Sequence, residues 1–174
     1  MRPGTTAPTD ETQMRALVDE VHQAVFPELS EVSIDLVQLE SETDFFQANL
    51  DLGTVSEPPL ERAYRVLYNP HLFDNPPDQS AVAAILVHEL THILDYTEMN
   101  SEQLIEFGIW YATSDTAEYE RATDEEALWR GCAEGLIAYR EWLYEQLDAE
   151  DADEKRRVYF TPSEIREWQT THGG

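Results

Sequence analysis

The sequence predicts an α+β fold in which a small, mostly antiparallel sheet precedes a helical second half. Apolar and polar residues alternate over 32–36 and 46–52, as in half-buried strands, and 63–68 is rich in strand-forming residues. From residue 78 onward, apolar residues recur instead at intervals of three and four, which is helical spacing. We therefore expect the sheet to pack on the first helix that follows it.

The helices are predicted from apolar spacing and from capping residues. An amphipathic helix is expected over 11–24, and Asp78 is a predicted N-cap for a helix that continues past residue 96. Asn100 and Gln103 form a predicted capping pair for the next helix. This first set of signals places two helices in succession directly after the sheet.

A long helical pattern then runs from 116 to 147. Its Gly131 and Gly135 either allow a neighbouring helix to approach closely or mark a break between two helices. Near the end, Thr161 to Glu164 carry an N-cap, a proline at the first helical position and a Glu at the third, which predict a short final helix over 165–169.

At 174 residues the chain is long enough to bury a core as one domain. We place this domain at 11–147, after a disordered head over 1–10. Residues 148–174 are predicted to be an acidic link of turn character and a C-terminal tail. The single cysteine, Cys132, excludes an intramolecular disulfide and lies in an apolar setting typical of a buried residue.

The most informative motif is His88-Glu89-Leu90-Thr91-His92. Positions i and i+4 lie about 40° apart around a helix, so both imidazoles can bind one metal ion. The composition of the chain would produce this pattern by chance in only about 0.02 cases per sequence. Glu89 lies beside the pair and could take a proton from a water activated by the metal.

A catalytic zinc site usually needs a third protein ligand. Glu120 is followed one helical turn later by Asp124, so Glu120 could bind the metal while Asp124 accepts a hydrogen bond from a ligating histidine. Several other residues remain open as ligands: His22, His71, His172, Glu118, Asp124, Glu125 and Glu126.

The motif over residues 88–92, followed by Glu120 and Asp124, resembles the gluzincin class of zinc metallopeptidases, of which thermolysin is the best-known member. The chain is closest in size to minimal, single-domain gluzincins. The resemblance implies a zincin-like fold with Zn²⁺ bound by His88, His92 and Glu120. It also implies that Glu89 is the general base and that Asp124 supports a zinc histidine.

The expected function is therefore hydrolysis of a peptide or protein substrate. In zincins a sheet lies over the active helix, and an edge strand can bind an extended peptide; the strand ending at Tyr68 is our candidate. Tyr96, Tyr111 and Tyr119 are possible donors to the oxyanion. Two alternatives stay open: a zinc-binding domain without peptidase activity, and an acidic interaction or inhibitor protein without metal.

The net charge of −25 disfavours binding to nucleic acid or to anionic membranes, and favours neutral or basic partners. No segment has the length of a membrane span or the apolar run of a signal peptide, so the expected location is cytoplasmic, or secreted if a leader has been removed. We expect a monomer by default.

Overall fold

The computed structural model describes residues 7–173, which form three strands and seven α-helices and confirm the predicted α+β class. In chain order the elements are α1 (Glu11–Val25), β1 (Ile34–Gln38), β2 (Phe46–Leu50), β3 (Tyr64–Tyr68), α2 (Gln79–Glu98), α3 (Ser101–Thr113), α4 (Ala117–Trp129), α5 (Ala133–Gln146), α6 (Ala149–Val158) and α7 (Pro162–His172).

The sheet has the strand order β1-β3-β2 and is mixed, so the prediction of a mostly antiparallel sheet is wrong. Strands β1 and β3 are parallel, whereas β2 and β3 are antiparallel. Alternation of apolar residues indicates which face of a strand is buried but carries no information on its direction. The strand ending at Tyr68 is also not an edge strand: β3 is central, and the free edge beside α2 belongs to β2.

Helix α2 lies at the centre of the molecule. Every residue from Ala81 to Ile93 is buried, because α1 and β2 pack against this helix together with α4 and α5. The apolar residues that recur at helical spacing along α2 are fully buried; they include Val82, Leu86, Leu90 and Ile93. At the C-terminal end of α2, the buried Arg62 donates hydrogen bonds to the carbonyl oxygens of Tyr96 and Met99, which have no partner within the helix. The motif over residues 88–92 therefore lies in an enclosed helix.

The two glycines of the long helical pattern have different roles. Gly131 has a φ of 86° and lies between α4 and α5, so it marks the break between two helices. Gly135 lies in α5 where this helix crosses α2; a Cβ atom there would be 2.7 Å from the Cβ of Ala84. The two alternatives that the sequence left open are thus both realised, one at each glycine.

The C-terminal region is helical and packs on the rest of the fold. The segment predicted as an acidic link forms α6 instead, and α7 extends over Pro162–His172, well beyond the predicted 165–169. Ile165 of α7 is fully buried in the main core, and α7 packs against α5. Acidic residues in the first turn of α6 and basic residues in its last turn complement the helix dipole, which explains why this polar segment is helical.

Helix α1 and the buried position of Cys132 agree with the predictions. Of the predicted head, residues 1–6 lie outside the described residues. The rest of it leads directly into α1: Ala7 is buried and the side chain of Asp10 caps the helix by accepting a hydrogen bond from the Gln13 N–H. No helix within residues 7–173 is long and apolar enough to cross a membrane.

Candidate metal centre

Helix α2 presents His88 and His92 on one face, and α4 brings Glu120 against them. Glu120 Oε2 lies 3.2 Å from His88 Nε2 and 3.3 Å from His92 Nε2, and the two Nε2 atoms are 3.2 Å apart. All three side chains are buried. The residues predicted as metal ligands are thus brought together, in an arrangement that could hold a metal ion.

His88 is held in place by a buried carboxylate. Its Nδ1 donates a hydrogen bond to Asp124 Oδ1 at 2.8 Å, and Asp124 also accepts from Arg140 Nη2 and from the Phe160 N–H, each at 2.9 Å. Burial by itself would raise the pKa of Asp124, but the charge of Arg140 and the bonds from His88 and Phe160 hold it below its usual range. Asp124 is therefore an ionised acceptor, and His88 carries its proton on Nδ1.

His92 is held by a different chain of hydrogen bonds. The Tyr119 hydroxyl lies 2.9 Å from His92 Nδ1 and donates its own proton to Asp95 Oδ2, also at 2.9 Å. Because the only proton of this hydroxyl is directed to Asp95, its oxygen accepts from His92 Nδ1. His92 too carries its proton on Nδ1.

These two hydrogen-bond chains leave electron pairs facing one another at the centre of the cluster. When both imidazoles are neutral and donate from Nδ1, Nε2 of both histidines and Oε2 of Glu120 meet with no donor among them. A positive charge between them, supplied by a proton or by a metal ion, is then stabilising. Four ligands at the 2.0–2.1 Å typical of zinc lie about 3.3 Å apart in a tetrahedron, close to the observed 3.2 and 3.3 Å.

The ionisation of the cluster reflects the same need for positive charge. Burial would lower the pKa of His88, but hydrogen bonds with Asp124 and Glu120 raise it to about 10. Burial would raise the pKa of Glu120, yet the bonds with His88 and His92 hold it far below its usual range. The second oxygen of Glu120, Oε1, accepts a hydrogen bond of 2.6 Å from the Tyr111 hydroxyl of α3. Only Oε2 is thus directed towards the histidines.

Glu89 is buried next to the cluster and faces the free edge of β2. Burial raises the pKa of its carboxyl group, against the opposing effects of His88, His92 and a hydrogen bond from the Ala48 backbone. A carboxylate with a raised pKa is a stronger base than an exposed glutamate, which suits a group that accepts and returns a proton.

A cleft of about 390 Å³ opens onto these residues, and His88, Glu89, His92 and Glu120 all line it. One wall is strand β2. The opposite wall comes from α3 and is largely apolar, with Leu104, Phe107, Gly108 and Tyr111. The cluster is therefore buried on the protein side and accessible from the cleft, which is large enough for a side chain or a short peptide segment.

Comparison of the chain with protein-family models, with curated proteins and with solved structures gives no match in any of the three.

The remaining predicted ligands lie away from the cluster or have other partners. His22 Nε2 bonds the Leu29 carbonyl oxygen, His71 pairs with Asp74 at the surface, and His172 Nδ1 bonds the Trp168 carbonyl oxygen. The alternative carboxylates do not join the three ligand atoms either; they are Glu118, Asp124, Glu125 and Glu126.

Two residues near the cluster were not found from the sequence. Arg140 is a fully buried cation that pairs with Asp124, and Tyr159 lines the cleft with its ring 5.7 Å from the ring of His88. Tyr159 follows α6, so its position depends on how the C-terminal helices pack, which no local pattern encodes. The sequence signal that could have indicated a buried ion pair is the arginine at position 140, within the apolar pattern of α5.

Proposed function

We propose that this chain is a zinc-dependent peptidase of the gluzincin type, with a zincin-like arrangement of sheet and active helix. The observation that carries the proposal is the convergence of His88 Nε2, His92 Nε2 and Glu120 Oε2 within 3.2 to 3.3 Å of one another, with both histidines donating from Nδ1. Two imidazoles and one carboxylate form a ligand set used by catalytic zinc sites, which keep one position open.

When bound there, zinc supplies Lewis acidity, which lowers the pKa of a water molecule and polarises a carbonyl group. The chain itself supplies the proton transfers. Glu89 takes a proton from the attacking water and returns it to the leaving amine. Its buried position beside His88 and its raised pKa both suit a group that must hold this proton briefly.

Strand β2 is the proposed binding site for the substrate backbone. At the two ends of β2, the Phe45 carbonyl oxygen and the Asp51 N–H form hydrogen bonds on the β3 side. Backbone groups of successive residues point to opposite sides of a strand, so the N–H and C=O groups of Phe46, Ala48 and Leu50 point to the free edge. Ala48 lies on this edge next to Glu89. An extended peptide that adds to β2 would therefore pass directly by the proposed base.

Tyr159 is the proposed donor to the oxyanion. Of the three tyrosines that the sequence suggested, Tyr111 and Tyr119 already donate to Glu120 and Asp95, whereas Tyr96 lines the cleft on the His92 side and stays an alternative donor. Tyr159 lines the cleft on the His88 side, and burial raises the pKa of its hydroxyl well above the usual value, which keeps it protonated. A protonated hydroxyl in this part of the cleft could stabilise negative charge that develops on the substrate.

The test compares wild type with Glu89→Gln after both have been loaded with zinc and incubated with a diverse peptide library. We expect equal zinc content and cleavage by wild type alone. Glu118→Gln, which removes an exposed carboxylate from α4, serves as control and should cleave like wild type. Cleavage by Glu89→Gln would exclude Glu89 as the base. Zinc-loaded wild type that cleaves no peptide would favour the zinc-binding domain without peptidase activity.

A further inference from the structure

Tyr119 and Asp95 connect two helices behind one proposed metal ligand. Asp95 lies one turn after His92 in α2, and Tyr119 precedes Glu120 in α4. The Tyr119 hydroxyl is 2.9 Å from His92 Nδ1 and 2.9 Å from Asp95 Oδ2. A single hydroxyl therefore joins α4 to a histidine and a carboxylate of α2.

The carboxylate fixes the orientation of this hydroxyl. A tyrosine O–H has one proton and donates it in the hydrogen bond to Asp95 Oδ2, so the lone pairs of the hydroxyl oxygen are left to accept from His92. His92 Nδ1 must then donate, which leaves Nε2 free to bind a metal. Asp95 acts on the metal ligand through Tyr119, as Asp124 acts directly on His88.

We propose that Tyr119 and Asp95 are positioning residues that set the tautomer and the ring orientation of His92 for metal binding. This inference rests on the proposed zinc site. Hydrogen-bond partners behind a metal-binding histidine typically change metal affinity about 10- to 100-fold when they are removed. The sequence suggested Tyr119 as an oxyanion donor; the geometry assigns its hydroxyl to the support of a ligand instead.

The effect of the Tyr119 hydroxyl can be measured separately from the packing of the Tyr119 ring. The Tyr119 ring lies in an aromatic cluster, with its centroid 5.1 Å from that of Phe107 and 6.0 Å from that of Trp110. Tyr119→Phe keeps these contacts and removes only the oxygen. We expect the metal-free variant to unfold at nearly the same temperature as the metal-free wild type.

The experiment measures zinc affinity by competition with a chromophoric chelator at fixed pH. Tyr119→Phe should bind zinc about 10- to 100-fold more weakly than wild type. Tyr68→Phe is the matched control, because it also removes a tyrosine hydroxyl bonded to a carboxylate, Glu11 Oε2 at 3.0 Å, but lies outside the metal centre. It should bind zinc like wild type.

A double-mutant cycle tests the role of Asp95. Asp95→Asn alone should weaken zinc binding, but in the Tyr119→Phe background it should have no further effect, because its action passes through the hydroxyl. Asp95→Asn alone also tests the inference if Tyr119→Phe does not fold. Independent, additive losses would overturn the Asp95 part of the inference.

The possible failures can be told apart. If wild type binds zinc and Tyr119→Phe binds it equally well, the inference is wrong while the proposed function stands. If wild type does not bind zinc, both are wrong.

Discussion

The carboxylate of Asp124 and the imidazole of His88 are joined by a buried hydrogen bond of 2.8 Å between Oδ1 and Nδ1. When His88 is neutral, this bond keeps the proton on Nδ1 and leaves Nε2 free to bind a metal ion. We predict that Asp124→Asn, which keeps the shape but removes the charge, weakens zinc binding about 10- to 100-fold. Isothermal titration calorimetry checks this, with near-UV circular dichroism to establish that the variant is folded. Unchanged affinity in a folded variant would exclude Asp124 as the support of His88.

Glu120 supplies the third ligand atom in this account. Glu120→Ala should reduce the zinc content of the purified protein from about one equivalent per chain to a small fraction of it, because two histidines alone bind zinc weakly. Glu118→Ala removes an exposed carboxylate from the same turn of α4 and should leave zinc content unchanged. Elemental analysis by plasma mass spectrometry measures both. Full zinc occupancy in Glu120→Ala would mean that another residue is the ligand.

Strand addition to β2 predicts which backbone amides of a substrate contribute to kcat/KM. Only every second residue of a peptide paired with β2 would direct its N–H towards the strand. N-methylation of those amides should reduce kcat/KM, whereas N-methylation of the amides between them should have little effect. Loss of one backbone hydrogen bond should cost roughly 2- to 10-fold. A series of singly N-methylated peptides measures this pattern. Equal losses at adjacent amides would argue against an extended peptide paired with β2.

The crossing of α5 over α2 depends on Gly135. A Cβ atom at this position would collide with the Ser80 carbonyl oxygen and lie 2.7 Å from the Ala84 Cβ, so Gly135→Ala should lower the free energy of unfolding by about 1–3 kcal/mol. Gly108→Ala is the control, because no atom other than those of its chain neighbours and its own helix backbone lies within 4 Å of the Cβ position, and alanine favours a helix by about 0.5–1 kcal/mol. Chemical denaturation should therefore give opposite signs for the two variants.

The N-terminus of α7 should make stability depend on pH. Burial would raise the pKa of Glu164, but hydrogen bonds from Thr161 and the pairing with Arg121 lower it below 4.5. The charged form is thus favoured in the folded protein, so its stabilisation is present above pH 4.5 and is lost as the pH falls through the folded pKa. Glu164→Gln should cost up to about 1 kcal/mol at pH 7, since the side chain is partly exposed, and the difference should shrink under acidic conditions. Urea denaturation at a series of pH values measures it; a constant difference would contradict the linkage.

Local patterns were sufficient to predict most of the elements. The capping pair at Asn100 and Gln103 and the capping box at Thr161 and Glu164 form as expected, because a cap depends only on residues three positions apart. His88 and His92 share a face because both lie in one helix.

Features that depend on the packing of distant segments were not predictable in the same way. The parallel pairing of β1 with β3 requires the chain to place β3 between β1 and β2, which no local pattern records. The polar composition of α6 suggested a link, although the charge order within it, acidic first and basic last, is a helical signal.

The candidate site shows the same difference between features set by local spacing and features set by long-range packing. Glu120 and Asp124 were predicted as a pair one turn apart, and they lie against the same histidine. The support of Asp124 by Arg140 and the position of Tyr159 arise only where α5 and the segment after α6 meet α4. Sequence spacing therefore predicts the candidate ligands better than it predicts the residues that hold them in place.

The most direct test of the central claim is anomalous diffraction at the zinc absorption edge from crystals of the zinc-loaded protein. The account predicts one anomalous peak at about 2.0–2.2 Å from His88 Nε2, His92 Nε2 and a carboxylate oxygen of Glu120. A fully loaded crystal with no peak between these three atoms, or with its peak at other residues, would contradict it.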